Sequence, residues 1–194
     1  MRAKNRTPEE PLRVLFVCTA NISRSPYAEH RAAQQLAGTP SAAAVSATEM
    51  VASAGMPGFP GRGMDPAMAA ELGGRGGKSA GHISRSLSRD ILIAADLVLT
   101  FEFAQRMRII DEWPDQAIKV FGLRQFVEAL GRVESSAGGL RLLDQVYRAA
   151  PPDGMHRDVA DPYRRGAAAA RACADEIDGV LTVILPALFA PGSR

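Results

Sequence analysis

The chain has 194 residues, of which 46% are hydrophobic and 23% charged, with 23 basic against 21 acidic side chains. This is the composition of an ordinary soluble globular domain large enough to bury its own core, and a net charge of +2 gives no bulk electrostatic reason to bind nucleic acid. The 2 cysteines, Cys18 and Cys173, make neither a disulfide framework nor a four-cysteine zinc site, and they suit a reducing compartment.

Residues 1–11 are polar and charged, carry Pro8 and Pro11 and show no apolar period, so a flexible tail is expected ahead of a single domain over 12–194. No apolar stretch precedes a cleavage site. The apolar run Gly179 to Ala190 is too short to span a bilayer and contains Pro186, so the expected location is cytoplasmic, without membrane insertion. Leu12 to Cys18 is a short, β-rich apolar run, the pattern of a buried parallel strand. A polar loop follows, and a helix is predicted from Ser25-Pro26 to about Leu36, stopped by Gly38-Thr39-Pro40.

A second strand is expected within Val45 to Ser53, then a glycine- and proline-rich shaped loop from Gly55 to Gly63. Asp65-Pro66 starts a short helix that ends near Gly73, and residues 73–81 form another glycine-rich connector. Strands are predicted over Asp96–Phe101 and Ala117–Phe121, with helices around 86–95, 102–112, 123–131 and 140–149. A last helix from Arg165 to Leu188 is apolar at Ala169, Cys173, Ile177, Val180, Ile184 and Leu188. Strands alternating with helices make this an α/β chain with a mostly parallel sheet.

In such sheets ligands bind beyond the carboxyl ends of the strands. The segment leaving the first strand is Cys18-Thr19-Ala20-Asn21-Ile22-Ser23-Arg24-Ser25. A loop between strand and helix turns its N–H groups inward into an anion nest at the positive end of the helix, and the same field favours a thiolate at Cys18. Arg24 presents a fork that holds two oxygens of a tetrahedral oxyanion. Ser25 is placed to donate a hydrogen bond to the sulfur. Nucleophile, cation and nest together describe a phosphatase site.

The run Val14 to Glu29, containing this loop followed by Pro26-Tyr27-Ala28-Glu29, resembles the signature of the low-molecular-weight protein tyrosine phosphatases. Ser53-Ala54-Gly55, His82-Ile83-Ser84-Arg85, Ala94 to Leu99 and Asp161-Pro162-Tyr163 match further family segments in order, so the resemblance covers roughly residues 12–190. It implies a doubly wound four-stranded parallel sheet with helices on both faces. It also implies hydrolysis of phosphotyrosine in protein substrates through a phosphocysteine, with no cofactor and no metal. Cys18 would attack phosphorus, Arg24 would hold the equatorial oxygens, and Asp161 would act as general acid and then base. Thr19, Ala20, Asn21, Ile22, Ser23 and Ser25 would form the phosphate cradle, supported by Ser53 and His82. Phe59 and Tyr163 would wall the pocket.

Several positions depart from the family pattern. Ala20 replaces a glycine and would cost roughly 1–2 kcal/mol if its φ were positive. Ser23 stands where many members carry a second cysteine, so an oxidised Cys18 would lack a neighbouring thiol to trap it. Phe59 takes the place of Trp or Tyr. Arg164 replaces a second Tyr, and with Arg165 it either favours acidic targets or is simply solvated. The stretch between Phe121 and Asp161, with a loop at Ser135 to Gly139, is longer than the pattern. The alternative functions are arsenate reduction on the same fold, or a catalytically weak oxyanion-binding module. Gly73 to Ser79 lacks the spacing of a nucleotide-binding loop, because Leu72 occupies the position of its first glycine.

Overall fold

The computed structural model describes residues 12–37, 39, 46–133 and 139–189. The expected tail at 1–11, most of the stop at 38–40, Val45 and most of the loop at 135–139 lie outside them. The elements in chain order are β1 (Val14–Cys18), α1 (Arg24–Leu36), α2 (Ala47–Met50), β2 (Val51–Gly55), α3 (Pro66–Gly74), α4 (Arg89–Ala94), β3 (Leu97–Thr100), α5 (Phe103–Glu112), β4 (Val120–Gly122), α6 (Leu123–Leu130), α7 (Gly139–Ala149) and α8 (Gly166–Phe189), with 3-10 turns at Pro114–Lys119 and Met155–Arg157.

The strands form one parallel sheet in the order β2-β1-β3-β4. All five residues of β1 are buried, as a central strand covered on both faces requires. Their alternation sorts them to two cores. Val14, Phe16 and Cys18 pack with Tyr27 and Ala32 of α1, Leu72 of α3, and Cys173 and Ile177 of α8. Leu15 and Val17 pack on the other side with Leu92 of α4 and Ile109 of α5. The chain therefore winds both ways from β1, and the crevice at the carboxyl ends of β1 and β3 is where such a sheet binds ligands.

Two strands differ from the sequence-based expectation. β2 begins at Val51, not near Val45, because the Ser46 carbonyl accepts from the Glu49 N–H and closes a helical turn over Ala47–Met50. β4 begins at Val120, because Pro114 opens a 3-10 turn that runs to Lys119. The Lys119 ammonium then donates to the Leu92 and Ala95 carbonyls at 2.7 and 2.8 Å, which draws residues 117–119 toward the end of α4 and away from the sheet. In α8 the buried stripe includes Ala170, Ala174 and Leu181, whereas Ala169 and Val180 are only partly covered. α3 starts as expected, with Pro66 at N1 and the Asp65 carboxylate accepting from the Met68 N–H. The glycine-rich run from Gly73 leaves the end of that helix and follows no strand. Among the described residues no helix is long and apolar enough to cross a membrane.

Candidate active site

β1 delivers Cys18 to the carboxyl edge of the sheet, and α1 begins six residues later at Arg24. The intervening loop must reverse direction tightly, and Asn21 does this with φ at +58°. Among the described residues other than glycine only Asn21 and Arg164 have positive φ. Ala20 therefore carries none of the strain its replacement of a glycine would have brought. Asparagine tolerates this conformation when its side chain finds local partners, and here every polar group of Asn21 is engaged. Its N–H donates to Cys18 Sγ at 3.3 Å, and its Nδ2 donates to Ser25 Oγ and Ser53 Oγ at 3.0 and 2.8 Å. Its Oδ1 accepts from the Arg85 N–H at 2.9 Å, and its carbonyl lies 2.8 Å from His82 Nε2. Because a carbonyl only accepts, that nitrogen of His82 bears the proton.

Ser25 Oγ lies 3.0 Å from Cys18 Sγ and also reaches the Ala54 carbonyl. Its oxygen already accepts from Asn21, so its single proton is left for one of these two partners. An ionised sulfur competes better for it than a neutral carbonyl. Ser53 passes the network on to the Glu29 carboxylate. Gly55 seats the next loop against this one, since the Thr19 and Ala20 carbonyls accept from the Gly58 and Phe59 N–H groups. A Cβ at Gly55 would stand 2.6 Å from Gly58 Cα and 2.9 Å from the Thr19 oxygen, so only glycine permits this approach.

Arg24 is 1% exposed. Its Nη1 donates to Glu102 at 2.5 Å and to the Val159 carbonyl at 2.8 Å, and its Nη2 lies 3.3 Å from Asp161 Oδ2. Burial opposes the charge, but the nearby Cys18, Asp161 and Glu102 outweigh it and hold the guanidinium pKa above its ordinary value. Its Nε is buried and has no hydrogen-bond partner among the described residues.

The cleft above this loop has Cys18, Thr19, Ala20, Ile22, Ser23 and Arg24 as its floor, and Phe59, Arg62, Asp161 and Tyr163 as its walls. Asn21, Ser25, Ser53 and His82 lie beneath as the supporting network. All the residues singled out in the sequence are thus brought to one place, in two layers. Ser23 Oγ is buried without a protein partner, and both cysteines are free thiols. Cys173 is a core residue of α8, and burial pushes its thiol up to about 12.

Glu102, Gln105, Glu29, Arg85 and Arg62 also belong to the site, although no role was expected for them from the sequence. Glu102 and Gln105 follow β3, the neighbour of β1, where residues of a doubly wound sheet face the same crevice. That rule could have found them. Gln105 donates to Thr19 Oγ1 at 3.0 Å, and its Oε1 accepts from the Phe101 and Glu102 N–H groups, tying this segment to the loop. Glu29 and Arg85 stand in segments that match the family pattern, and that was the signal for them; Arg62 has none short of the folded contacts.

Acid is expected to weaken the packing beside the support layer. His30 meets His82 edge to face, with centroids 5.8 Å apart, and its Nε2 is buried without a partner. Burial is the largest influence on His30; Glu29 opposes it, His82 reinforces it, and the net pKa lies below the ordinary 6.5. Below about 6.5 the unfolded chain takes up a proton that folded His30 refuses, so stability falls as pH drops from there through the folded value. His30→Phe is expected to lose less stability than wild type between pH 7 and pH 5 in urea unfolding. Parallel curves would refute this.

The model of the family described as low molecular weight phosphotyrosine protein phosphatase matches residues 13–137. A probable low molecular weight protein-tyrosine-phosphatase, EpsP of Ralstonia nicotianae, is 27% identical over 152 residues, which are 78% of this chain and 79% of that one. The low molecular weight protein tyrosine phosphatase of T. tengcongensis superposes with a TM-score of 0.69 at 26% identity, covering 91% of this chain and 99% of the other. The arginine phosphatase YwlE of Geobacillus stearothermophilus does so with a TM-score of 0.67 at 26% identity, covering 90% of each.

Proposed function

Because this chain belongs to the low molecular weight phosphotyrosine protein phosphatase family, we propose that it hydrolyses aryl phosphate monoesters, phosphotyrosine in proteins among them, through a phosphocysteine. The observation that carries this reading is the convergence of Cys18, Arg24 and Asp161 in one cleft walled by the rings of Phe59 and Tyr163.

The phosphate sits on the nest of loop N–H groups at the N-terminus of α1, with its equatorial oxygens on the Arg24 guanidinium. Cys18 Sγ attacks phosphorus in line; the S–P bond forms as the P–O bond to the aryl group breaks. A bound phosphate competes for the guanidinium that Asp161 engages here; the freed carboxylate takes up the proton that the phosphate monoanion brings with it and passes that proton to the leaving oxygen. Asp161 then takes a proton from a water molecule, whose oxygen attacks phosphorus and expels the sulfur. The Ser25 hydroxyl stabilises that sulfur as a thiolate. Positioning and charge do most of the work, as in phosphoryl transfer generally.

Phe59 and Tyr163 supply apolar ring faces, and Ile22 an apolar floor, which suit a phenyl ring. Among the described residues Asp161 is the one carboxylate lining the cleft, and the reaction engages it as acid and base. A phosphoarginine guanidinium would meet no second carboxylate there. Thiol relay in arsenate reduction needs a further reactive thiol, whereas Cys173 is buried and its thiol strongly disfavours ionisation.

The test is hydrolysis of p-nitrophenyl phosphate, a phosphotyrosine peptide and phosphoarginine in the presence of EDTA. Wild type should turn over the two aryl esters, and Asp161→Ala should slow the phosphotyrosine peptide by about two to four orders of magnitude, the usual worth of a general acid. Faster turnover of phosphoarginine than of the peptide would overturn the aryl assignment.

A further inference from the structure

Resting on the phosphotyrosine reading above, we propose that the mouth of the cleft selects targets with acidic residues beside the phosphotyrosine, read by Arg62 and Arg164. Arg62 comes from the loop that follows β2 and is part of the cleft wall, next to Phe59, which is 51% exposed. Arg164 follows the wall residue Tyr163 in the chain and lies over its ring, with Cζ 5.2 Å from the centroid. Both guanidinium groups are exposed. Among the described residues neither has a carboxylate partner.

The nearby carboxylates are already used. Asp161 faces Arg24, Asp65 caps α3, and Asp158 accepts from the Phe103 N–H at 2.7 Å. A phosphotyrosine bound between Phe59 and Tyr163 therefore brings its flanking residues to two uncompensated positive charges.

The backbone strengthens the case. Arg62 is held on both sides by Ser84, whose Oγ accepts from the Arg62 N–H and whose N–H donates to the Arg62 carbonyl, at 2.9 and 2.8 Å. The guanidinium thus rides on a fixed stem. Arg164 has φ at +60°, a conformation that favours glycine, and the chain nevertheless keeps a long cation there. A solvated surface position has no need to combine strain, stacking on a wall residue and an unpaired charge.

Charges that read the flanking residues act on ground state and transition state alike, so their effect belongs in KM and not in kcat. Exposed ion pairs are individually weak and are screened by salt. Two phosphotyrosine peptides of equal length, one with Asp and Glu flanks and one with Asn and Gln, would be compared at low salt. Wild type should favour the acidic peptide about three- to tenfold in kcat/KM through KM, and the preference should shrink toward unity in about 1 M NaCl, where the Debye length is about 3 Å.

In the double variant Arg62→Gln, Arg164→Gly the ratio should fall to about one at low salt. Its Tm should be no lower than that of wild type, because glycine relieves the positive φ at 164. A wild-type ratio near one, or a ratio that survives the double substitution, overturns the proposal. Failure of the underlying reading shows separately, as absence of turnover of p-nitrophenyl phosphate by the wild type.

Discussion

Cys18→Ser is expected to reduce turnover of p-nitrophenyl phosphate by at least about four orders of magnitude while leaving the fold and the oxyanion site intact, as removal of a nucleophile does in other covalent enzymes. The substitution exchanges sulfur for oxygen at a buried position, so the Ser25 and Asn21 contacts have a near-isosteric partner and the loop has no reason to move. What the proposed mechanism loses is its nucleophile. An alcohol needs a base to remove its proton, and no histidine is part of the cleft floor or walls among the described residues. Calorimetry should show inorganic phosphate binding retained within several-fold and Tm within a few degrees. A variant holding one per cent of wild-type activity would defeat the nucleophile assignment. Iodoacetate supplies an independent check near neutral pH. One equivalent should inactivate the wild type at Cys18, because Cys173, its thiol pushed up to about 12 by burial, stays protonated.

The second large effect is expected at Arg24. Arg24→Lys keeps the charge but should lower kcat by about three to five orders of magnitude, the range found for arginines that stabilise transferring phosphoryl groups. The guanidinium here spans three separate acceptors, Glu102, the Val159 carbonyl and Asp161. An ammonium is a single point, cannot present two parallel donors to phosphate oxygens, and cannot remain in contact with Glu102 while reaching them. Glu102→Gln separates positioning from charge. It keeps an acceptor for Nη1, so its loss should be smaller, on the order of 10²-fold or less, and should fall on kcat because a misaligned fork matters most in the transition state. An Arg24→Lys loss below tenfold, with folding intact by circular dichroism, would show that the guanidinium does not hold the reacting oxygens.

Burial is as decisive for this site as charge. Arg24 sits in a core position because three acceptors compensate it. Removing one partner from a buried pair leaves an uncompensated charge, which typically costs about 3–5 kcal/mol. Arg24→Ala would therefore confuse stability with chemistry, and the lysine variant is the cleaner probe.

Much of this protein was legible in its sequence for reasons that are local. β1 reads as a continuous apolar run because it is covered on both faces. The loop to Ser25 concentrates the reactive groups in eight consecutive residues, and Asp65-Pro66 announces a helix start by its own capping chemistry. Elements whose limits depend on distant partners were read less well. Residues 117–119 have strand-forming side chains, yet they lie in a turn because Lys119 reaches the carbonyls at the end of α4, 24 and 27 residues earlier in the chain. Ala20 and Asn21 make the same point at one residue's resolution. Sequence comparison drew attention to the missing glycine at 20, whereas the positive φ falls on Asn21, whose five hydrogen-bonding partners come from four segments.

By itself the sequence determined the fold class, the strand-loop-helix that carries Cys18 and Arg24, and the chemistry those residues suit, since each depends on short-range pattern and side-chain type. Only the tertiary structure decided which groups hold Arg24, that Glu102, just beyond the neighbouring strand β3, is one of them, and that Asp161, 137 positions after Arg24, comes within 3.3 Å of it. Likewise it put Arg62 in the cleft wall and Arg164 over the ring of Tyr163, neither with a carboxylate partner among the described residues. Pattern periodicity records which face of an element is buried, but a hydrogen bond between residues far apart in the chain leaves no trace in either one's local sequence, and it exists only once the sheet order has brought the two strand ends side by side.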